Sequence, residues 1–346
     1  MRAAATATLG VLVIGLVLCR TVLALPQGAT TPYAEAIDLF RRGADEPALN
    51  ELARIMNVDV TVERNELLKT LDSKNREESE RAAGTIRGAV MLHTARAFAA
   101  LARGNGGEFR YQVLTAEAYV TRLRSRDRRS AFVQTWPLAV LALLHEGREV
   151  RVAKEFGEHA RDPSGDSAEL LLALGATEEM AWWMDHEDDA DVKGDLRNAE
   201  RHFRQAFIVA PTLIEARLRL GRVLVLRDDP EGMKVLGQIG SFAEMPFQYL
   251  ARLFEGEVLE KRGDTAEAER RYATAVSMMP TAQSAYVALA HMRHARGARA
   301  EAANDVRSSA GARNVPDTAD PWFWYSRGTA WRAAGYVEEL RRMIRP

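Results

Sequence analysis

One stretch of this chain of 346 residues occurs twice at the same internal spacing, and it constrains the fold more than anything else in the sequence. Gly194, Asp195, Ala199, Phe203, Ala206 and Pro211 recur 69 residues later as Gly263, Asp264, Ala268, Tyr272, Ala275 and Pro280. Ala199, Phe203 and Ala206 are four and then three residues apart, so they share one face of a helix. Gly-Asp reads as a turn followed by a helix start. The proline reads as a stop, because the residue before a proline avoids the helical region. A helix of this length cannot bury its face alone, so it needs a partner helix and a neighbouring pair. With 47% apolar and 27% charged residues the chain is a folding one, not a disordered one.

The offset equals two periods of about 34 residues, and A-x-x-x-aromatic with a closing proline is the second half of a known repeat. The chain therefore resembles the tetratricopeptide repeat family, in particular bacterial exported members of undefined role. The resemblance covers 133–316. Trp136, Leu143, Gly147 and Phe156 mark a first unit that closes near Pro163. Leu171, Leu174 and Gly175 open a second, which runs into an insertion near 176–193 holding Trp182, Trp183 and the acidic run Asp185–Asp191. Leu220, Gly221 and Leu224 open a third, whose second helix, about 231–242, lacks the alanine and ring marks. A fourth spans 249–282, with Gly256 and Leu259. A fifth follows from 283, with Tyr286, Leu289, Gly297 and Ala302, and closes at Pro316. The implied fold class is all-α: a right-handed superhelical stack of antiparallel helix pairs, an α-solenoid, with a C-terminal capping helix. Within it the small residues let helices approach, and Phe203 and Tyr272 are expected to fill the gap to the next hairpin.

Outside the repeats the signals are weaker. Residues 1–24 read as a secretory signal peptide: Arg2, an apolar run from Leu9 to Leu18, and Ala24 at a cleavage position. An uncleaved anchor is the alternative, and Arg20 makes the run short for a spanning helix. Cys19, the only cysteine, lies in this segment. A lipidated Cys19 is disfavoured by the bulk of Leu18, and the remaining chain has no thiol chemistry. Residues 25–32 read as a linker. The 33–130 region reads as degenerate helical repeats: a hairpin over 33–57, a solvated polar run around Asp72–Arg81, and helices near 86–102 and 108–125 split by Gly104–Gly107. The tail 317–346, with Trp322, Trp324, Tyr325 and Trp331, reads as apolar filling for a terminal cap. An aromatic recognition patch of Trp322, Trp324 and Tyr325 is the alternative.

Chemistry is sparse. No zinc-peptidase helix, nucleophile elbow or phosphate loop is present, so no catalytic residue and no cofactor is expected. Asp189, Asp191, Gly194 and Glu200 copy the spacing of a calcium loop. Lys193 and Arg197 would set cations among the ligands, so no metal is expected. His291 and His294 share a helix face without a visible third ligand. Beyond residues 1–24 there are 45 basic against 48 acidic residues, which gives no electrostatic case for nucleic acid. A membrane enters only through residues 1–24. By the family's register the first helices line a concave face, which would carry Arg222, Glu257, Glu260, Lys261, His291 and His294. The implied function is a non-catalytic exported scaffold that binds a protein or peptide segment in that groove. Two alternatives stand beside it. One is an enzyme, or an accessory subunit of one, in envelope sugar or peptide processing, with a site in 58–130 or at the aromatic tail. The other is a membrane-tethered assembly factor.

Overall fold

The computed structural model describes residues 32–42, 44–56, 61–162, 165–184, 192–311 and 320–344, which are helical with connecting turns and contain no strand. The segment 1–24, most of 25–32, the acidic run Asp185–Asp191 with its two calcium-like aspartates, Pro163 and Pro316 lie outside the described residues. None of the described helices is long and apolar enough to cross a membrane. The chain divides into two compact units, Met1–Trp136 with Ala334–Pro346, and Pro137–Ala333.

In the first unit α1 (Pro32–Arg41) and α2 (Asp45–Met56) form the hairpin expected over 33–57. The polar run read as a solvated helix face or linker is in large part a helix face. Helix α3 (Thr61–Leu71) ends just before it, and Asn75 then caps α4 (Arg76–Ala102) by accepting from the backbone N–H of Glu77 and Glu78. The run is thus the first turns of a 27-residue helix. Asp72, Glu77 and Glu80 pair there with Arg122, Arg81 and Arg87. Gly104, at φ 72°, turns the chain into α5 (Gly106–Arg126), which Asn105 caps. Gly88 of α4 admits the Ile37 side chain, which lies 2.6 Å from where a Cβ would sit. His93 and Gln112 pair inside the α4–α5 interface at 2.7 Å, and burial pushes the His93 pKa down to about 4. The last helix, α17 (Ala333–Ile344), has most of its length in this unit, with Arg341 over the Phe40 ring.

The second unit contains the repeats. Its helices alternate as first and second members of hairpins: α6 (Ala131–Glu146) with α7 (Val150–Ala160), α8 (Ala168–Met184) with α9 (Val192–Val209), and α10 (Ile214–Leu226) with the short α11 (Glu231–Gly237). Two more pairs follow, α12 (Met245–Lys261) with α13 (Thr265–Met278), and α14 (Gln283–Ala295) with α15 (Arg299–Gly311). A glycine on a first helix makes the seat for a side chain of the second. A Cβ on Gly175 would lie 2.5 Å from the Phe203 ring, and one on Gly256 would lie 2.5 Å from the Tyr272 ring. Both rings therefore sit in their own hairpin's glycine seat and also join the core shared with the next hairpin, Phe203 with Leu220 and Leu224 and Tyr272 with Ala285 and Leu289. Gly221 seats Leu236 in the same way, which explains how α11 functions without a ring.

The two copies of the repeated stretch differ at their entry. Gly263 has φ 80° and turns the chain between α12 and α13, and Asp264 caps α13 by accepting from Glu267 N–H. Gly194 is no turn. Helix α9 has already begun at Val192, and Asp195, buried, accepts a 2.6 Å hydrogen bond from Lys154. Glu200, the last residue of the calcium-like spacing, pairs with Arg204 and Arg227.

Candidate functional site

After α15 the chain re-enters the described residues at Asp320. The short helix α16 (Pro321–Tyr325) starts on an Asp320 cap, and a 3-10 turn (Ala330–Arg332) follows. The sequence reading expected the tail's rings to fill a terminal cap. They do act as apolar filling, but against the first helices of the repeats. Asp320 accepts from Ser284 N–H and Oγ–H at the start of α14 (2.7 and 2.8 Å). Trp322 and Trp324 pack edge-on to Phe254 and Phe247 of α12. Tyr325 donates from its hydroxyl to Glu179 of α8, and Thr329 reaches His145 of α6. The segment therefore runs back along the first helices, from α14 to α6.

Its deepest anchor is Arg219 of α10, 1% exposed. Arg219 Nε donates to Glu215 (2.9 Å) and Nη1 to Glu179 (2.8 Å), while Nη2 donates to the carbonyls of Tyr325 (3.1 Å) and Gly328 (2.8 Å). The guanidinium carbon lies 4.2 Å from the centre of the Tyr325 ring. Arg332 donates to the second oxygen of Glu215 at 2.5 Å. Two carboxylates thus meet two guanidiniums. Burial opposes the Arg219 charge, but Glu215 and Glu179 outweigh it and raise its pKa. Burial, and then the Glu179 charge, push the Tyr325 hydroxyl well up, so it stays a donor. His145 is fully buried. Its Nε2 faces the Thr177 hydroxyl (2.8 Å), which itself donates to the Ala173 carbonyl. Its Nδ1 receives the Thr329 N–H (3.1 Å). This pattern requires the neutral Nε2–H tautomer, and burial lowers the His145 pKa to about 3.

Beside the tail a cleft of about 700 Å³ remains open. One wall comes from α10, α12 and α14 (Arg222, Glu257, Glu260, His291), and the other from Trp183, Trp322 and Phe323. Of the groove residues expected from the sequence, the structure brings Arg222, Glu257, Glu260 and His291 into this cleft. Lys261 stays outside the lining and pairs with Glu257 at 3.2 Å, and His294 is exposed elsewhere on α14. Arg222 is a correction of another kind: at 2% exposed it is a wall and not a presented charge. It pairs with Glu257 and lies 4.3 Å from the Phe254 ring centre, with Trp322 and Trp183 at 5.6 and 5.8 Å, while its Nε has no hydrogen-bond partner. Burial works to raise the Glu257 pKa, but attraction to Arg222 outweighs it and holds the carboxyl below its ordinary value. Glu260 accepts from the Tyr272 hydroxyl (2.8 Å) and faces His291 Nδ1 (3.2 Å).

Of the three tail rings singled out in the sequence, only Trp322 lines the cleft. Trp324 packs between Phe247 and Trp331, and Tyr325, 1% exposed, is closed to any partner. No group of three or more His, Cys, Asp or Glu side chains converges as a metal site among the described residues.

Glycine seats lie under both Phe203 and Tyr272, and a Gly-Asp turn at Gly263 joins the helices of the second of these pairs. These hairpins are tetratricopeptide-like. No family model matches the sequence, and none of the curated proteins matches it. Among solved structures, the chain is similar to MamA (strain designation MSR-1), at 16% identity and TM-score 0.38, over 52% of this chain and 97% of that one. It is also similar to YrrB, described as a TPR protein with an unusual peptide-binding site, at 19% identity and TM-score 0.38, over 58% and 95%. A third likeness is to the APC/C hetero-tetramer Cut9–Hcn1, at 12% identity and TM-score 0.40, over 90% and 61%.

Proposed function

We propose that the chain is a non-catalytic interaction scaffold that binds a segment of another protein in the cleft between the first helices and the tail. The observation that carries this is the cleft itself. Its volume, about 700 Å³, suits the side chains of a short segment, and three consecutive first helices supply its polar wall. A groove on rigid helices is preorganised, which lowers the cost of ordering a bound segment.

The enzyme alternative looked for carboxylates beside Trp322, and Glu257, Glu260 and Asp320 do line the same cleft. Binding is nevertheless the better reading. Acid–base hydrolysis of a sugar linkage needs one carboxyl kept protonated, whereas Glu257 is held ionised by Arg222. Asp320 already accepts from three donors. Residues 1–24 support the reading of an exported protein, and an uncleaved form would be a membrane-tethered assembly factor. N-terminal sequencing of the protein from cell fractions separates the two.

Site-specific photo-cross-linking tests the scaffold reading. A photoreactive residue at Val287, exposed in the cleft, should capture a protein segment in native host cells. The same residue at Ile208, exposed on a second helix, should not. Equal capture at both positions, or none at Val287, contradicts the reading.

A further inference from the structure

Among the described residues, the buried carboxylates of the second unit each face a cation. Glu179 and Glu215 face Arg219 and Arg332. Glu255 faces Arg252 and Arg271, Asp305 faces Arg293, and Asp195 faces Lys154. The cleft wall departs from this rule. It carries three carboxylates, Glu257, Glu260 and Asp320, against one guanidinium. That guanidinium, Arg222, is closed off from solvent and already paired with Glu257. Glu260 meets only the Tyr272 hydroxyl and the His291 ring, neither a permanent cation. Asp320 meets only Ser284 and the Trp322 N–H. Opposite them stand Trp183, Trp322 and Phe323, with Val287 59% exposed.

We infer that the occupant of this cleft is a peptide segment that presents a lysine or arginine side chain next to an aliphatic or aromatic residue. This rests on the scaffold reading above and adds the chemistry of the partner. The cationic head offsets the charge of Glu260, and the aromatic rings of the wall favour a cation nearby. The apolar neighbour covers Val287 and the indole faces. An acidic segment is rejected, because its charge would face Glu260 and Asp320 while Arg222 and Lys261 are already paired with Glu257.

The test uses three short, blocked, fluorescein-labelled peptides on one Ser/Gly frame, with Lys, Gln or Glu between two leucines. Anisotropy titrations with the full chain are run at about 50 and about 300 mM salt, where surface screening differs. The lysine peptide should bind about tenfold tighter than the glutamine peptide, with the glutamate peptide weakest, and the gap should narrow at high salt. Glu260→Gln should erase the lysine advantage and leave the glutamine peptide's affinity unchanged. Glu77→Gln, on an exposed carboxylate of the first unit, should change nothing. Equal binding of the lysine and glutamine peptides, or tightest binding of the glutamate peptide, overturns the inference and leaves the scaffold reading standing. Failure of all three peptides also overturns it, and cross-linking at Val287 then decides the scaffold reading separately.

Discussion

Arg219 and Arg222 stand three residues apart on α10, both buried and both over aromatic rings, yet they do opposite things. Arg219 is fully occupied: two carboxylates and two backbone carbonyls take its donors, and two of those partners belong to the tail. Arg222 has one carboxylate, an Nε without a partner, and a place in the wall of an open cleft. The first-helix face thus has a half that the chain's own tail has closed and a half that stays open. Closure is secured by buried charges, which are costly to separate. The open half is bounded by half-buried rings and unmatched acids, which are cheap to cover.

The sharpest way to break this contrast is Arg219→Met. It leaves Glu179 buried without a cation and Glu215 with Arg332 alone, and breaking one side of a buried ion network costs about 3–5 kcal/mol. Urea denaturation followed by tryptophan fluorescence should show a loss of that size. Adding Glu179→Met to the same chain should recover much of it, since Glu215 keeps Arg332 and no buried carboxylate is then left without a cation. A cost below about 1 kcal/mol for the single change would mean that the network does not hold the tail.

Acid should also act on the closed half, through His145. His145 is neutral in the fold, with a pKa lowered to about 3, and His93 in the first unit is lowered to about 4, both by burial. Unfolded histidine protonates near 6.5, so the stability these residues permit is complete above that value. It is lost progressively as pH falls towards the folded values. Each pH unit of withheld protonation costs about 1.4 kcal/mol per histidine. A protonated His145 would set a new N–H against the Thr329 N–H. His145→Gln should flatten the fall in melting temperature between about pH 6 and about pH 4. An unchanged slope would place the acid sensitivity elsewhere.

Glycine seats offer a middle-sized test. Gly256→Ala would force a methyl to 2.5 Å from the Tyr272 ring beneath the open half. Overpacking of this kind costs about 1–3 kcal/mol. Gly194→Ala meets nothing within 4 Å and lies inside α9, so it should stabilise by about 0.5–1 kcal/mol, because glycine is a poor helix residue. A thermal melt of the two variants distinguishes them by sign. An effect of the same size as that of Gly256→Ala is expected from Tyr325→Phe, which removes one hydroxyl donor from Glu179 and leaves Arg219 in place. A loss of about 1–3 kcal/mol would follow, with the low end expected if a water enters.

The repeats were legible because their physics is local. Gly175, Gly256, Phe203 and Tyr272 sit where a close helix pair needs a bare backbone and a ring, and fixed spacing carries that information. The cleft wall was partly legible for the same reason, since the register put Arg222, Glu257, Glu260 and His291 on first helices. The closed half was not. Glu215 and Arg219 are four apart, a spacing that solvated helix pairs share. Their decisive partners lie far away in sequence: Tyr325 meets Glu179 across 146 residues and Thr329 meets His145 across 184. No periodicity marks such a pairing. Gly194 misled in a smaller way. It matches Gly263 letter for letter, but a helix that starts two residues earlier removes the turn the glycine would have made.

The central claim is that residues 320–332 are a fixed part of the first-helix face, leaving the adjoining cleft open to a partner. Native-state hydrogen exchange tests this most directly, because it reads the opening free energy of each segment separately. The amides of Ser326, Gly328 and Thr329 should exchange with the same protection as those of α10, and both should weaken together in Arg219→Met. Fast exchange of the tail amides while α10 stays protected would show that the tail opens by itself, and would contradict the account.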